Sequence, residues 1–507
     1  MRRVVSLYLP TWPTDRLRRQ MGRSGPSPDT PLVTVGRDGG RNLVMAADAA
    51  AQRQGIVPGM AATKARALSA ELQVQQADPA ADAEALDKLA LWALKLYAPV
   101  VAADPPDGLC IDATGAAHRY GGEQGLLDDL LGRLKASGVA ARAAMTRTYG
   151  AAHALARYAA NPTLRIGEGE LGPAIRNLPV AALRLPLDTV DALRRLGFDS
   201  IGELDAQPRA PLALRFGPEI GRRLDQAYGR ACEPMILASA PELIEVRRGF
   251  AEPISAPETL ARYTAILAEQ LCATLEAKAL GARCLDLLFH RVDGRVEAIR
   301  VGTSKPSRDV KSLIRLLSPK LEAVDPGFGI ELMILSAPVA EPLIYRQSTS
   351  GLTEESEADI SGLVDTLSNR LGPHRLYRAV PIESDVPERS VGRVAPLAPK
   401  QVGGWSAQWP RPARLLPRPE PIQTVALLPD HPPASFTWRG VRRKVCRADG
   451  PERIFGEWWK RDAEASAVRD YFQVEDETGE RFWVFRSGDG EHLGSGDQRW
   501  FLHGVFG

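Results

Sequence analysis

Two things are missing from this sequence: an apolar run long enough to cross a membrane, and an excess of charge of either sign. The 507 residues carry 64 Lys and Arg against 62 Asp and Glu, so no global field draws the chain toward a polyanion. Contact with nucleic acid has to come from local patches. Cysteine is scarce: Cys110, Cys232, Cys272, Cys284 and Cys446 are scattered with no CxxC pair, which argues against a zinc ribbon and a disulfide framework. The seven histidines show no HExxH or other ligand spacing, so no metal site is read from them. The first apolar stretch, Val4 to Leu9, stops at Pro10, too short for a signal core or a membrane span. A cytoplasmic chain with no membrane partner is expected.

What is present is ordinary globular material, 44% hydrophobic and 25% charged, long enough for several domains. The pattern predicts an α/β (α+β) multidomain fold. Val4 to Leu9, Leu32 to Val35, Leu43 to Ala46, Gly108 to Asp112 and Ala140 to Met145 read as strands. Leu86, Leu89, Ala90, Ala93 and Tyr97 recur at helical spacing, as does the stretch Gly122 to Ser137. Residues 1–175 form one such domain, and 176–240 a helical module. Residues 241–345 follow the order β-α-β-β-α-β. Ten prolines between Pro396 and Pro433 predict a linker over 346–435. Alternation returns over 436–507, where a small aromatic-rich β module is expected with a hairpin turn at Glu477-Thr478-Gly479.

Carboxylates near strand ends are the candidates for chemistry: Asp15, Asp104, Asp107 and Asp112. Two-metal phosphoryl transfer needs several acids converging on two cations, and the first strand, ending Leu7-Tyr8-Leu9-Pro10, supplies none. Asp107 beside Pro105 and Pro106 reads as a turn residue, and Asp112 with Thr114 and Gly115 as a side-chain-bonded turn. His153 reads as a partly buried histidine on an Ala-rich helix.

The stretch Asp107-Gly108-Leu109-Cys110-Ile111-Asp112-Ala113-Thr114-Gly115 resembles the second catalytic motif of Y-family translesion DNA polymerases. Val44 to Gly59 is similar to that family's finger segment, and Met145 to Ala160 to its next palm motif. The resemblance implies palm and fingers over 1–175, a thumb over 176–240 and a little finger over 241–345. It also places the family's metal-binding aspartate on Leu9, its second on Asp107 and its catalytic glutamate on Gly108. The positions that hold the incoming triphosphate fall on Ala49, Gln52 and His153. One carboxylate of three remains, so the site is vestigial.

The tail, with Gly450-Pro451-Glu452-Arg453-Ile454, Trp458-Trp459, Arg469-Asp470-Tyr471-Phe472 and Trp500-Phe501-Leu502-His503-Gly504, is similar to that of a non-catalytic, UmuC-like member of the Y family encoded in a bacterial mutagenesis cassette. That likeness implies an adaptor in SOS-type DNA repair. Its implied partners are DNA, the sliding clamp, an error-prone DnaE-class polymerase and a RecA-like accessory protein, with no cofactor. The competing expectation is a poorly processive polymerase that uses Mg2+ through Asp107, with Asp15 and Asp104 as its reserves. Phosphate contacts are expected from Arg247, Arg248, Arg283, Arg295, Lys305, Arg308 and Lys311, with Arg291 and Arg300 in the same stretch. Gln347 and Leu352 mark a candidate clamp-binding peptide, with a weaker one at Gln423 to Leu428.

Overall fold

The computed structural model describes residues 2–22, 25–239, 242–343, 359–399, 411–426, 431–457, 459–460, 467–489 and 492–507. The chain forms two compact units, Met1–Leu376 and Tyr377–Gly507.

The first unit begins with a five-stranded sheet in the order Val100–Asp104, Gly108–Asp112, Val4–Tyr8, Arg142–Thr146, Thr163–Arg165. Side chains alternate between the faces of a strand, and the sheet uses the two faces differently. Val5, Leu7, Leu109, Ile111 and Met145 enter one apolar core with Leu86 and Ala90 of the helix Pro79–Leu96 and Leu126 and Leu130 of the helix Glu123–Ala136. On the other face, Tyr8 and Ala144 pack against Ala151, Ala154 and Leu155 of the helix Tyr149–Tyr158. The helices Pro79–Leu96 and Tyr149–Tyr158 start on side-chain caps, Asp78 accepting from the Ala81 amide and Thr148 from the Ala151 amide, as orphan donors in a first turn require.

Residues 32–76 add a three-stranded sheet, Arg41–Ala47, Leu32–Asp38, Gln73–Gln76. Its own small core gathers Val33, Val44, Ala51 and Ile56. Short helices fill Leu171 to Tyr228, and among them Ser200 and Glu203 form a reciprocal cap that opens Ile201–Asp205. The four-stranded sheet that follows runs Val296–Ser307, Leu280–Arg291, Ile330–Pro342, Ile244–Ile254. The helices Pro257–Ala277 and Val310–Leu321 share its core through Leu267, Leu271, Leu313 and Leu317. This is the β-α-β-β-α-β order expected from the sequence.

The linker expected over 346–435 is corrected at three points. The helix Ser361–Leu371 belongs to the first unit. Its Asn369 accepts from the Gly302 amide at 2.8 Å and donates to the Gly302 carbonyl at 2.6 Å, covering the sheet's edge strand as a neighbouring strand would. Arg378–Pro381 and Val391–Val394 pair as a hairpin in the second unit. Arg414–Val425 is the first strand of a closed six-stranded barrel that continues through Trp500–Val505, so the C-terminal β module starts well before residue 436. The prolines misled because of where they sit. The first barrel strand pairs at Leu415 and again at Glu420 across a bulge, and Pro417 and Pro419 occupy that bulge, where no ladder donor is required. The barrel interior holds Phe436, Phe472, Phe482 and Trp500, while Tyr471, Trp483 and Phe485 form a second buried cluster on alternate positions of the same strands.

Candidate functional site

The turn Pro105-Pro106-Asp107 joins the edge strand Val100–Asp104 of the first sheet to its neighbour Gly108–Asp112, and the Leu9 amide donates to the Asp107 carbonyl at 2.8 Å. Positions 9, 107 and 108 are therefore neighbours, as the motif requires. What surrounds them differs from a metal site. Leu9 is fully buried and belongs to the apolar core with Leu7 and Trp12. Position 108 is closed as well: a Cβ added to Gly108 would lie 2.7 Å from the Leu7 carbonyl oxygen, 3.0 Å from Arg157 Nη2 and 3.3 Å from Asp104 Oδ2.

One helix supplies the groups that fill the cleft. Tyr149, His153 and Arg157 are spaced four apart on Tyr149–Tyr158 and so share one of its faces. His153 Nδ1 lies 2.9 Å from Asp104 Oδ2, and Arg157 Nη2 lies 2.6 Å from Asp107 Oδ1 and 3.4 Å from Asp104 Oδ2. The Arg157 guanidinium also rests over the Tyr8 ring at 4.9 Å, a cation–π contact that holds it in place. Burial by itself would raise the Asp104 pKa, but hydrogen bonds from His153 and Tyr149 and the Arg157 charge outweigh it and hold the carboxyl down to about 2. Burial lowers the His153 pKa, so at neutral pH its Nδ1 carries the proton given to Asp104. The network extends outward: Arg184 lies 4.6 Å over the Tyr149 ring and binds Glu233 through two bonds of 2.7 and 2.8 Å.

Of the two reserve carboxylates Asp104 is held in this cleft, while Asp15 is committed elsewhere, as is the turn residue Asp112. Asp15 Oδ2 accepts from the Thr11 hydroxyl at 2.8 Å and the Ala140 amide at 3.0 Å. Burial pushes its pKa up to about 6. Asp112 is held by Arg2 Nε at 2.9 Å and by Thr114, whose hydroxyl lies at 2.5 Å. Among the described residues no three His, Cys, Asp or Glu side chains gather as ligands for one ion. In the three-stranded region Ala49 is exposed, and Gln52 donates to its own helix start, at the Ala47 carbonyl, at 2.8 Å.

The basic residues expected on DNA are distributed unevenly. Arg247 pairs with Glu245. Arg283 lies 3.5 Å from Glu341, Arg295 3.7 Å from Asp293, Lys305 3.3 Å from Asp359 and Arg308 3.4 Å from Glu276. Arg248 is exposed over the Tyr263 ring at 5.5 Å, and the exposed Lys311 has no ion pair among the described residues. The pairs of Arg247, Arg295 and Lys305 are exposed and of a kind that contributes little to stability and can exchange a carboxylate for a phosphate, whereas the Arg308 side chain is only 13% exposed. Arg291 and Arg300 are a correction to the expected stretch: both are buried, Arg291 between Asp293 and Asp325, and Arg300 against Asp286. Neither faces solvent. Gln347 and Leu352 lie outside the described residues, as do the last residues of the Gln423 to Leu428 candidate. No described helix is long and apolar enough to cross a membrane.

Arg157 was the residue that motif reasoning missed. Its signal was the four-residue spacing from Tyr149 through His153, but its carboxylate partners lie some fifty residues earlier in the chain and only the fold brings them together.

Comparison with known proteins agrees with this frame. A family described as "impB/mucB/samB family" matches residues 25–160, and its C-terminal domain matches 243–338. Both domains of that family, in that order, define the class of the chain. "Protein ImuB" of Caulobacter vibrioides strain NA1000 / CB15N is 46% identical over 462 residues, spanning 89% of this chain and 100% of that protein, and the same figures hold for strain ATCC 19089 / CIP 103742 / CB 15. The chain belongs to the ImuB family. Among solved structures, the insertion ternary complex of Dbh DNA polymerase and DinB from Sulfolobus solfataricus are each 13% identical, with TM-scores of 0.39 and 0.38, covering 66% of this chain and 98% of theirs.

Proposed function

We propose that the chain is a non-catalytic polymerase homologue that acts in the cytoplasm as an adaptor for damage-induced translesion synthesis and mutagenesis. One observation carries the reading: the carboxylates at the cleft turn are bound by the chain's own Arg157, and position 108 has no room for an acid. Phosphoryl transfer depends on metal ions that neutralise charge and on clamps that position the triphosphate. The residues present do not fit a two-metal centre, because Leu9 is buried in the core and Asp104 and Asp107 already share a cation. An adaptor requires neither function and no cofactor.

In this reading, Arg247, Arg248, Arg283, Arg295, Lys305, Arg308 and Lys311 hold DNA through its phosphates, without reading sequence and with strong dependence on salt. Gln347 and Leu352 anchor a peptide on the sliding clamp. An error-prone DnaE-class polymerase supplies the chemistry, assisted by a RecA-like accessory protein. Family membership and the identity to Protein ImuB support this assignment.

Reconstitution on a lesion-bearing primer-template tests it. The purified chain added to clamp and DnaE-class polymerase should increase bypass, and Gln347→Ala/Leu352→Ala should remove the increase while leaving DNA binding intact. Bypass that persists when the DnaE-class polymerase carries an inactivated catalytic site would contradict the adaptor reading.

A further inference from the structure

The cleft brings two carboxylates onto one positive nitrogen. Arg157 Nη2 is within 2.6 Å of Asp107 and 3.4 Å of Asp104, and one partly buried positive charge between two acids is also what a divalent ion would provide. The nitrogen is not a casual visitor. It is fixed by the helix that carries it, by the Tyr8 ring beneath the guanidinium, and by two carboxylates whose pairing would be lost if it left. It also takes the space beside Gly108, where an added Cβ would lie 3.0 Å away.

We infer that Arg157 is a tethered cation that stands in for a divalent metal in this cleft and excludes it. Missing ligands alone do not account for the exclusion, since Mg2+ and Mn2+ are often held by one or two carboxylates, with water or phosphate completing the shell. Asp104, Asp107 and Arg157 together sum to a single negative charge. Without Arg157 the same pocket carries two negative charges, while the neighbouring Arg184 is committed to Glu233, a match for one divalent ion. Occupancy by the guanidinium is therefore the dominant barrier, and loss of the acid at position 108 is the space that the guanidinium requires. The inference deepens the non-catalytic reading of this cleft, and its test is independent of partner recruitment.

The test is Mn2+ binding to the full chain, followed by electron paramagnetic resonance of the free ion. In the natural protein the Mn2+ isotherm should be unchanged by Asp107→Asn. Arg157→Ala should gain one Mn2+ site at least tenfold tighter than any in the natural protein, and Arg157→Ala/Asp107→Asn should lose it. Arg157→Gln is the second variant, should alanine at this position fail to fold. Mn2+ binding by the natural chain that disappears in Asp107→Asn would overturn the inference, and so would a folded Arg157→Ala or Arg157→Gln protein with no gained site. Primer extension by the natural chain would instead overturn the non-catalytic reading, so the two failures are distinguishable.

Discussion

Arg300 donates Nη2 to the Leu94 carbonyl at 2.5 Å, joining the four-stranded sheet to the last turn of the helix Pro79–Leu96. The same guanidinium grips Asp286 through two bonds of 2.6 Å, and both side chains are buried. A pair of this kind stabilises little relative to apolar residues, yet removing one member strands the other charge. Arg300→Ala should therefore cost about 3–5 kcal/mol of stability in denaturant unfolding. The double variant Arg300→Met/Asp286→Leu should recover much of that loss. Equal loss in the single and double variants would show that the Leu94 link, and not the stranded Asp286, dominates.

Asp15 gives a pH dependence of one sign. Burial raises its pKa from 3.8 to about 6 in the folded chain, so ionisation works against folding. The penalty is absent below the unfolded value and grows as pH rises through about 6. Asn can keep an oxygen toward Thr11 and Ala140, so Asp15→Asn should match the natural protein near pH 4 and be more stable by about 1–3 kcal/mol above pH 7. Thermal melts across that range check it, and a constant difference at all pH values would contradict the assignment.

His503 gives the opposite sign. It is fully buried, with Nδ1 2.8 Å from the Tyr471 hydroxyl, and burial lowers its pKa from 6.5 to about 4. Its neutral form therefore belongs to the fold, and stability is complete above the unfolded value and falls as pH drops from 6.5 toward 4. The barrel should lose stability over that window, less what the Glu388 carboxylate 3.7 Å from Nε2 offsets. Near-ultraviolet circular dichroism of the tryptophan-rich second unit reads the loss, which should be much reduced in His503→Gln.

Leu9→Asp restores a carboxylate at a position where the family motif has one. Leu9 is fully buried among apolar residues, so the change should cost more than about 3 kcal/mol and yield no nucleotide addition. A stable Leu9→Asp protein that extends a primer would show that the cleft rearranges to accept a metal.

Much of the frame was legible in sequence because alternation and helical spacing were clean where the strands and helices are regular. Leu280–Arg291 and Val310–Leu321 are examples. The barrel strand Arg414–Val425 was hidden because Pro417, Pro419 and Pro421 argue against a strand, and only its pairing with Trp500–Val505 shows that the first two lie in a bulge. The chemistry of the cleft was half legible. The motif located Asp107 and Gly108, whereas Arg157 emerged only when the fold brought the helix Tyr149–Tyr158 against that turn. Charge counts along the sequence also could not separate Arg300, locked on Asp286, from Lys311 in solvent.

The most direct test of the account is primer extension by the purified full chain, with Mg2+ and then Mn2+, alongside DNA binding on the same preparation. The account predicts salt-sensitive binding and no extension with either metal. Reproducible extension that Asp107→Ala abolishes would contradict it, and would mean that the cleft closed by Arg157 opens to hold a working metal centre.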